Sequence, residues 1–324
     1  MKKERILIST IIPSYNRADT VGQTIESILA QEVDADMEIV IGDDCSTDNA
    51  REVLLAYKEK YPDIIQLIFH EQNVGLGANW ATCVKACRGK YICNCDNDDY
   101  WHNPHKLQIQ LDFMESHSES NICVTDYRNL NRVTGEERYR KTIIDPNQDL
   151  QYLMYYSCRN ISNATFMYRA DFMKAHLDLD EFITRRFTLQ DWPTWVILTA
   201  YTDIDILPES TATVCVETAS VSRPNSVERF AQRLEGDKRI VQYLGELFPD
   251  KFSYEEKEWN AYANWRLMGL CFDIGDFKSA RKYGELCKTY GGFKLLCSQY
   301  VVLFHVFRLL KRIKMRIYGK NRKK

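Results

Sequence analysis

The chain has 324 residues, a formal net charge of −2 at pH 7, and a composition that is 45% hydrophobic and 27% charged. This length suffices for one complete α/β domain with an appended segment, and the small net charge argues against nucleic acid as a partner. The N-terminal apolar run is short and no small-residue cleavage site follows it, so we expect a first core strand rather than a signal peptide. No run of about 20 apolar residues occurs, so we expect no membrane-spanning helix. Eleven scattered cysteines without zinc-ligand spacing indicate reduced thiols in a cytoplasmic protein.

Strand patterns and helix patterns alternate through the first 130 residues. Strands are expected at 6–15, 37–42, 64–69, 91–95 and 122–127, and helices are expected at 18–31, 49–61, 79–87 and 104–116. Strands that are almost continuously apolar and separated by helices predict a doubly wound, mostly parallel α/β sheet with a Rossmann-like nucleotide-binding half. Such sheets bind ligands at the carboxyl ends of their strands.

The pattern changes after about residue 130. The middle of the chain mixes short elements, with a hairpin expected at 132–140, strands at 164–168 and 211–216, and a helix at 189–201. Beyond about residue 226 the pattern is helical and includes a helix pair that turns at Gly275. We therefore expect one domain over residues 1–225 and a helical C-terminal appendage over residues 226–324.

The last predicted helix, over about residues 298–318, is amphipathic. One face is apolar, and the other carries five basic residues, Arg308, Lys311, Arg312, Lys314 and Arg316. A basic amphipathic helix suits an anionic membrane surface, which predicts a peripheral protein at the inner face of the plasma membrane. The alternative is a terminal helix that packs on the protein and exposes its basic face to solvent.

Polar clusters follow the first four predicted strands, at the sheet edge where ligands are expected. Pro13, Tyr15 and Arg17 follow the first strand, where a tyrosine can cover the face of a base and an arginine can contact phosphate. Gly75 and Gly77 lie in the loop expected after the third strand, where glycine lets a ligand approach the backbone closely. Together these clusters predict a nucleotide pocket.

The cluster after the second strand, GDDCSTD over residues 42–48, offers the carboxylate of Asp44 as a buried hydrogen-bond acceptor. A carboxylate at this place can accept the imide N–H of a uracil or thymine ring. The later residues Ser46, Thr47 or Asp48 can cap the following helix, and both roles can hold together.

The cluster after the fourth strand places three carboxylates in four positions, Asp96, Asp98 and Asp99. Like charges this close repel and raise one another's pKa, and a bound cation relieves the repulsion. An Asp-x-Asp pair at a strand end can hold Mg²⁺ or Mn²⁺ while leaving positions for the oxygens of a diphosphate leaving group. The alternative is a turn in which Asp and Asn side chains satisfy the loop backbone.

Five segments of this chain resemble the successive motifs of family 2 glycosyltransferases, in order and at the expected spacing, and the resemblance covers roughly residues 5–225. The segments that resemble them are STIIPSYNR, EIVIGDDCSTDN, NVGLGANW, GKYICNCDNDDYW and KLQIQLDFM. The resemblance implies a GT-A fold, a nucleotide-diphosphate sugar donor, a divalent metal and inversion at the anomeric carbon.

The resemblance also implies roles for individual residues. Asp44 matches the family's base-binding Asp, and Asp96 and Asp98 match its Asp-x-Asp motif, with Asp98 the direct metal ligand. Asp96 and Asn79 are expected in the donor pocket. Asp191, in the segment FTLQDWPTW, matches the catalytic base that takes a proton from the acceptor hydroxyl. Without the resemblance, Asp191 would be interpreted as an acidic residue at a helix N-terminus.

Two departures from the family pattern affect the expected site. Gln190 replaces the Glu that usually precedes the catalytic Asp, which puts acceptor preference in doubt. Ala78 stands where many relatives carry Arg or Lys, so a phosphate contact is missing or supplied elsewhere. Ser222 and Arg223 lie in a segment that resembles one near the acceptor and the diphosphate, and a loop over 220–230 could close over the donor.

We therefore expect a cytoplasmic, membrane-associated glycosyltransferase that moves a sugar from a UDP- or dTDP-type donor to a hydroxyl of a glycan or lipid-linked oligosaccharide. A sugar-phosphate nucleotidyltransferase is the rival enzyme, but it would show a Gly-rich loop with a basic residue directly after the first strand, where this chain has SYNRADTVG. A non-catalytic nucleotide-sugar-binding scaffold is the rival from another class, and it would not need four acids in these motif positions, Asp44, Asp96, Asp98 and Asp191.

Overall fold

The structure, a computed structural model, describes residues 7–142, 161–216, 226–251 and 254–289. The predicted amphipathic helix over 298–318 and the candidates Ser222 and Arg223 lie outside the described residues. The alternation predicted for the first 130 residues is confirmed. Its elements are β1 (Leu7–Ser14), α1 (Val21–Leu29), β2 (Asp36–Asp43), α2 (Ala50–Lys60), β3 (Ile65–Phe69), α3 (Leu76–Ala86), β4 (Tyr91–Asn94), β5 (Tyr100–Trp101), α4 (Lys106–Ser116) and β6 (Ile122–Asn131).

The middle of the chain adds short strands and helices to this framework. They are β7 (Glu137–Arg140), a 3₁₀ turn (Asn163–Thr165), β8 (Met167–Arg169), α5 (Ala170–His176), α6 (Leu179–Thr184), α7 (Asp191–Leu198) and β9 (Asp205–Val216). The predicted hairpin is confirmed, because β6 and β7 pair in antiparallel fashion around a turn in which Gly135 has a φ of +69°.

Four strands form the parallel half of the sheet, in the order β3-β2-β1-β4. The central strand β1 is buried on both faces: Ile8 and Ile12 belong to a core shared with α1, α2 and α4, and α3 also packs on this strand. Burial on both faces explains why the strand reads as an almost continuous apolar run. The pairing register places Ser14 beside Asp43 and brings the ends of β1 and β2 to one edge.

The other half of the sheet is mixed, which the sequence pattern did not predict. β8 lies between β4 and β6 and runs antiparallel to both, so the fifth predicted strand does not pair with the fourth. β6 pairs in parallel with β9, and β5 pairs in antiparallel fashion with β9. The segment that separates β4 from β6 comes from some 40 residues further along the chain than β6, and no local pattern encodes such an insertion.

Gly77 was expected in a loop, and this prediction is wrong. Helix α3 begins at Leu76, so Gly77 lies in its first turn. Its backbone N–H donates to the carbonyl of Phe187 at 3.1 Å, and a Cβ at this position would come within 2.5 Å of that oxygen. The glycine is therefore needed for close packing of the helix against the chain at Phe187, not for approach of a ligand.

The C-terminal residues form three helices, α8 (Val227–Leu247), α9 (Glu256–Ile274) and α10 (Phe277–Thr289). The predicted turn is confirmed, since Gly275 ends α9 with a φ of +84°. The chain divides into two compact units, residues 1–218 with 239–252 and residues 219–238 with 253–324. The proposed division into functional domains at residue 225 stays a prediction. None of the helices in the described ranges combines the length and the apolar character needed to cross a membrane.

Candidate active site

The loops after β1, β2 and β4 interlock at the carboxyl edge of the parallel half-sheet. The backbone N–H of Asp44 donates to the carbonyl of Ser14 at 2.9 Å, and the backbone N–H of Asn16 donates to Oγ of Ser46 at 2.9 Å. The loop between β4 and β5, residues 95–99, carries the three acids and is called the acidic loop. Nδ2 of Asn97 in this loop donates to Oγ of Ser14 at 3.3 Å and joins the loop to β1. Three of the polar clusters found in the sequence therefore lie together.

Asp44 is held by the loop that follows β3. Its side chain is almost fully buried, Oδ1 accepts from the backbone N–H of Val74 at 2.6 Å, and Oδ2 accepts from that of Gly75 at 3.0 Å. Gly75 has a φ of +92°, which other residues rarely adopt, so glycine is required for this geometry. Each carboxylate oxygen has a second lone pair, so Asp44 is a fixed acceptor that can still receive an N–H from a ligand.

Asp43, the neighbouring acid, points the other way. It is fully buried, and its Oδ2 accepts from Nε of Arg51 at 2.6 Å and from the backbone N–H of Ser46 at 3.2 Å. The guanidinium of Arg51 also stacks 5.0 Å from the ring of Phe69. Asp43 therefore fastens the end of β2 to α2 and β3.

The three candidates expected after the first strand differ in position and accessibility. Pro13 lies inside β1, where it is buried and pairs with Gly42, so its expected place after the strand is wrong, whereas Tyr15 follows β1 and is 46% exposed. Nη2 of Arg17 lies 3.4 Å from Oδ2 of Asp98. Tyr15 can thus cover a ligand, and Arg17 faces the acidic loop.

Asn79 lies beneath the strand ends rather than at the open edge. It is buried, its Nδ2 donates to the carbonyl of Gly42 at 2.8 Å, and its Oδ1 lies 3.1 Å from Nε2 of His70. Its polar atoms are thereby committed to the fold, and its expected place in the donor pocket stays a prediction. Ala78 is also buried, so a long basic side chain at this position would have no room to extend into the site.

The three acids after β4 have different environments. Asp99 is bound to other parts of the protein. Its Oδ1 accepts from the backbone N–H of Cys215 in β9 at 2.8 Å, and its carbonyl accepts from Oγ1 of Thr24 at 2.7 Å. Burial, followed by the charges of Asp98 and Asp96, raises the pKa of the Asp99 carboxyl well above its ordinary value. Asp99 joins the acidic loop to β9 and α1.

Asp96 faces the amide groups of two residues from distant parts of the chain. Its Oδ1 accepts from Nδ2 of Asn163 at 3.0 Å and lies 3.5 Å from Nε2 of Gln190. Burial raises the pKa of Asp96 to about 7, and the carboxylates of Asp98 and Asp191 add to the rise, while the bond from Asn163 opposes it. This electrostatic influence shows that Asp96, Asp98 and Asp191 form one group of like charges.

Asp191 is the first residue of α7, as the sequence analysis expected for an acid at a helix N-terminus. Its Oδ1 accepts from the backbone N–H of Trp192 at 2.7 Å, and the side chain is half-buried. The following residues of α7 are buried, which anchors the acid on a rigid element.

Asp96 and Asp98 are the residues that could hold a divalent metal. Within the described ranges, no group of three or more His, Cys, Asp or Glu side chains is arranged to hold a metal ion. Two carboxylates nevertheless fit Mg²⁺ or Mn²⁺, because such ions keep waters and take phosphate oxygens as their remaining ligands. The cationic guanidinium of Arg17 beside Asp98 shows that this position attracts positive charge.

Sequence reasoning missed two residues that contact the acidic loop. Nη2 of Arg132, from the turn of the β6–β7 hairpin, donates to the carbonyl of Asp98 at 2.9 Å, and Asn163 contacts Asp96. Each lies more than 30 positions from its partner, and neither stands in a recognisable motif. Only the long-range pairing of the strands places them here.

Comparison with known proteins agrees with the fold and the motifs. TarS 1–349 of S. aureus, solved in complex with UDP-GlcNAc, superposes with a TM-score of 0.52 at 18% identity over 87% of this chain and 90% of that one. The mannosyltransferase PcManGT of Pyrobaculum calidifontis, solved with GDP-Man and Mn²⁺, superposes with a TM-score of 0.53 at 13% identity over 95% of this chain and 81% of that one. At these identities the likeness shows a GT-A fold, as predicted.

The sequence itself matches the family model described as glycosyl transferase family 2 over residues 9–177, about half of the chain. The putative teichuronic acid biosynthesis glycosyltransferase TuaG of Bacillus subtilis is 38% identical over 112 residues, which are 35% of this chain and 43% of that protein. The chain covers about a third of the length of the first curated relatives that it matches. The chain belongs to glycosyl transferase family 2, and the predicted family is confirmed.

Proposed function

We propose that the protein transfers a sugar from a UDP- or dTDP-type nucleotide sugar to a hydroxyl of a glycan or lipid-linked oligosaccharide, with Mg²⁺ or Mn²⁺ assistance and inversion at the anomeric carbon. The observation that carries the proposal is the meeting, at one sheet edge, of a fixed acceptor and a group of like charges. The acceptor is Asp44, and the charges are those of Asp96, Asp98 and Asp191.

Base recognition is assigned to Asp44 and Tyr15. The carboxylate of Asp44, fixed by two backbone N–H groups, accepts the imide N–H of uracil or thymine and leaves no freedom for reorientation. The exposed ring of Tyr15 packs on the face of the base. Pro13 and Gly75 shape the backbone around these two side chains.

The diphosphate is assigned to the acidic loop and Arg17. Asp98 and Asp96 would hold a divalent metal ion, which would neutralise the charge that develops on the departing diphosphate. The guanidinium of Arg17, 3.4 Å from Asp98, lies where it could contact a phosphate oxygen of the donor.

Proton removal is assigned to Asp191. Its carboxylate takes the proton from the acceptor hydroxyl as the hydroxyl oxygen forms a bond to the anomeric carbon, and the bond from that carbon to the diphosphate oxygen breaks. Attack opposite the leaving group inverts the configuration. The N-terminal position on α7 orients the carboxylate, because its Oδ1 accepts from the backbone N–H of Trp192.

The acceptor and the membrane contact are proposals that rest on the sequence. The basic amphipathic helix predicted over 298–318 would place the site beside a lipid-linked acceptor at an anionic surface. The name of TuaG associates that relative with teichuronic acid, and a glycan acceptor is therefore a reasonable class to test first.

Hydrolysis of nucleotide sugars tests the proposal without knowledge of the acceptor. The purified chain is incubated with a panel of UDP- and dTDP-sugars, with and without Mn²⁺, and the nucleoside diphosphate released is measured by chromatography. We expect slow release that needs the metal and disappears in Asp98→Asn. Absence of release from every donor, together with retained nucleotide binding, would favour the non-catalytic scaffold.

A further inference from the structure

We infer that Asn163 and Gln190 are positioning residues that orient the carboxylate of Asp96 toward the donor and its metal ion. The inference rests on the proposed function, because it assigns Asp96 to that site. The two side chains are remote in sequence from Asp96 and from each other, and the fold brings their amide groups to the same carboxylate oxygen, Oδ1.

The geometry divides the two oxygens of Asp96 between protein and ligand. Asn163 donates to Oδ1 at 3.0 Å, and the amide nitrogen of Gln190 lies 3.5 Å from the same atom. Oδ2 accepts no hydrogen bond from the residues that the structure describes. Because both donors converge on Oδ1, the carboxylate cannot rotate freely, and Oδ2 remains available to a ligand.

The turn that carries Asn163 does not need the amide of Asn163 for its own stability. Oγ of Ser162 accepts from the backbone N–H of Ala164 at 3.3 Å, and Oγ1 of Thr165 donates to the carbonyl of Ser162 at 2.6 Å. The turn is thus closed by its neighbours' side chains. The amide of Asn163 is available for a task outside the turn.

Rigid elements hold this turn in place. Nε1 of Trp101, in β5, donates to the carbonyl of Ala164 at 2.9 Å, and Nε2 of Gln110, in α4, donates to the carbonyl of Thr165 at 2.9 Å. The ammonium of Lys106 lies 4.3 Å from the centre of the Trp101 ring and fixes the indole in turn. Because β5 and α4 both hold this turn, the side chain of Asn163 can position the carboxylate of Asp96 closely.

The contact with Asp96 gives a reason for glutamine, rather than the glutamate of the family motif, at position 190. A carboxylate only accepts hydrogen bonds, so the amide must present its NH₂ group to Asp96. Its Oε1 is then left buried without a partner among the described residues, which is an energetic cost that a purely structural glutamine would not carry. The motif's Glu at this position would instead bring another negative charge beside Asp96.

The test compares three variants by the metal increment, defined as the dissociation constant of UDP without Mn²⁺ divided by that with Mn²⁺. Calorimetric titrations are made on the wild type, Asn163→Ala, Gln190→Ala and the control Ser162→Ala, which alters the same turn without touching Asp96. Groups that orient metal ligands typically change metal affinity about 10–100-fold when removed. We expect Asn163→Ala to lower the increment at least about 10-fold, Gln190→Ala to lower it less, and Ser162→Ala to preserve it.

The affinity for UDP without metal separates positioning from general damage. It depends on the base pocket at Asp44, so it should stay within about twofold of wild type in all three variants. An increment in Asn163→Ala equal to that in Ser162→Ala would overturn the inference and leave the proposed function standing. If Asn163→Ala does not fold, an unchanged increment in Gln190→Ala overturns the inference. A wild type without any increment would refute the proposed metal site and the inference with it.

Discussion

Two acidic pairs, Asp43 with Asp44 and Asp96 with Asp98, lie at the same sheet edge and differ in the groups that bind them. In the first, Asp43 is bound to Arg51 and Asp44 is bound to the backbone N–H groups of the loop after β3. In the second, Asp96 and Asp98 repel each other, and a guanidinium 3.4 Å from Asp98 is a weak substitute for a metal ion. The first pair is held by a guanidinium and by backbone N–H donors, whereas burial and mutual repulsion raise the pKa of Asp96 in the second.

The difference assigns distinct tasks to the two pairs. A carboxylate fixed by N–H donors recognises a rigid partner such as a base without reorganisation. Carboxylates held together against their repulsion store unfavourable energy that a divalent ion releases on binding. Functional sites commonly reduce stability in this way. The predictions that follow separate the two pairs, from the largest expected effect to the smallest.

Asp191→Asn removes no member of either pair and should slow turnover strongly. Loss of the base is expected to slow metal-dependent release of UDP from the active donor by about 10²–10⁴-fold, because general base catalysis contributes about that much. The dissociation constant of UDP with Mn²⁺ should be unchanged. Wild-type turnover in this variant would show that another group takes the proton.

Asp44→Asn tests the first pair. The amide would direct its NH₂ at one of the two N–H donors, and a charge-assisted hydrogen bond is worth about 1.5–3 kcal/mol. UDP should therefore bind about 10–100-fold more weakly, while the ratio of affinities with and without Mn²⁺ stays the same. Asp48→Asn is a matched control, because Asp48 also accepts from two backbone N–H groups, those of Ala18 after β1 and Ala50 at the start of α2. Equal losses in both variants would mean that the effect comes from loop structure rather than base recognition.

Neutralisation of one acid in each pair should change stability in opposite directions. Asp43→Asn removes the partner of Arg51 and should lower the free energy of unfolding by about 1–3 kcal/mol. Asp96→Asn relieves repulsion and should raise it by about 0.5–2 kcal/mol at pH 8 without metal. Thermal unfolding measures both changes.

The effect at Asp96 should depend on pH. The folded-state pKa of Asp96 lies near 7, above the ordinary value of 3.8, so the folded protein binds this proton more tightly than the unfolded chain. Stability contributed by the protonated carboxyl is therefore present at low pH and is lost as the pH rises from about 4 through 7. The gain in Asp96→Asn should be larger at pH 8 than at pH 5. A gain that is the same at both values would contradict the assignment of the repulsion to this residue.

Arg17→Gln should produce the smallest change. Without the guanidinium, Arg17 no longer competes with Mn²⁺ for Asp98, and Mn²⁺ added without nucleotide should bind about 2–5-fold more tightly, in keeping with the modest energy of a partly exposed ion pair. Electron paramagnetic resonance of free Mn²⁺ measures this affinity. Arg88→Gln, which removes an arginine from a different ion pair, that with Glu38, is the control for loss of one positive charge. Weaker Mn²⁺ binding in Arg17→Gln would show that the arginine supports the ion rather than competing with it.

The sequence predicts the first pair and the parallel half-sheet better than it predicts the rest. Asp44 stands directly after an apolar strand, and the strand order of doubly wound sheets brings such ends together. For Asp99 the sequence shows the charge but not where the carboxylate binds, because its partner, the backbone N–H of Cys215, comes from β9. Asn163 reaches Asp96 only because β8 inserts beside β4. Contacts of that kind depend on long-range pairing, which leaves no periodic signal along the chain.

Calorimetric titration of UDP into the wild type and into Asp98→Asn, each with and without Mn²⁺, tests the central claim most directly. We predict that Mn²⁺ strengthens UDP binding to the wild type and that Asp98→Asn retains the metal-free affinity but loses the strengthening. An equal effect of Mn²⁺ on both proteins would contradict the assignment of the metal ion to the acidic loop. Failure of UDP to bind the wild type under any condition would contradict the proposed donor class.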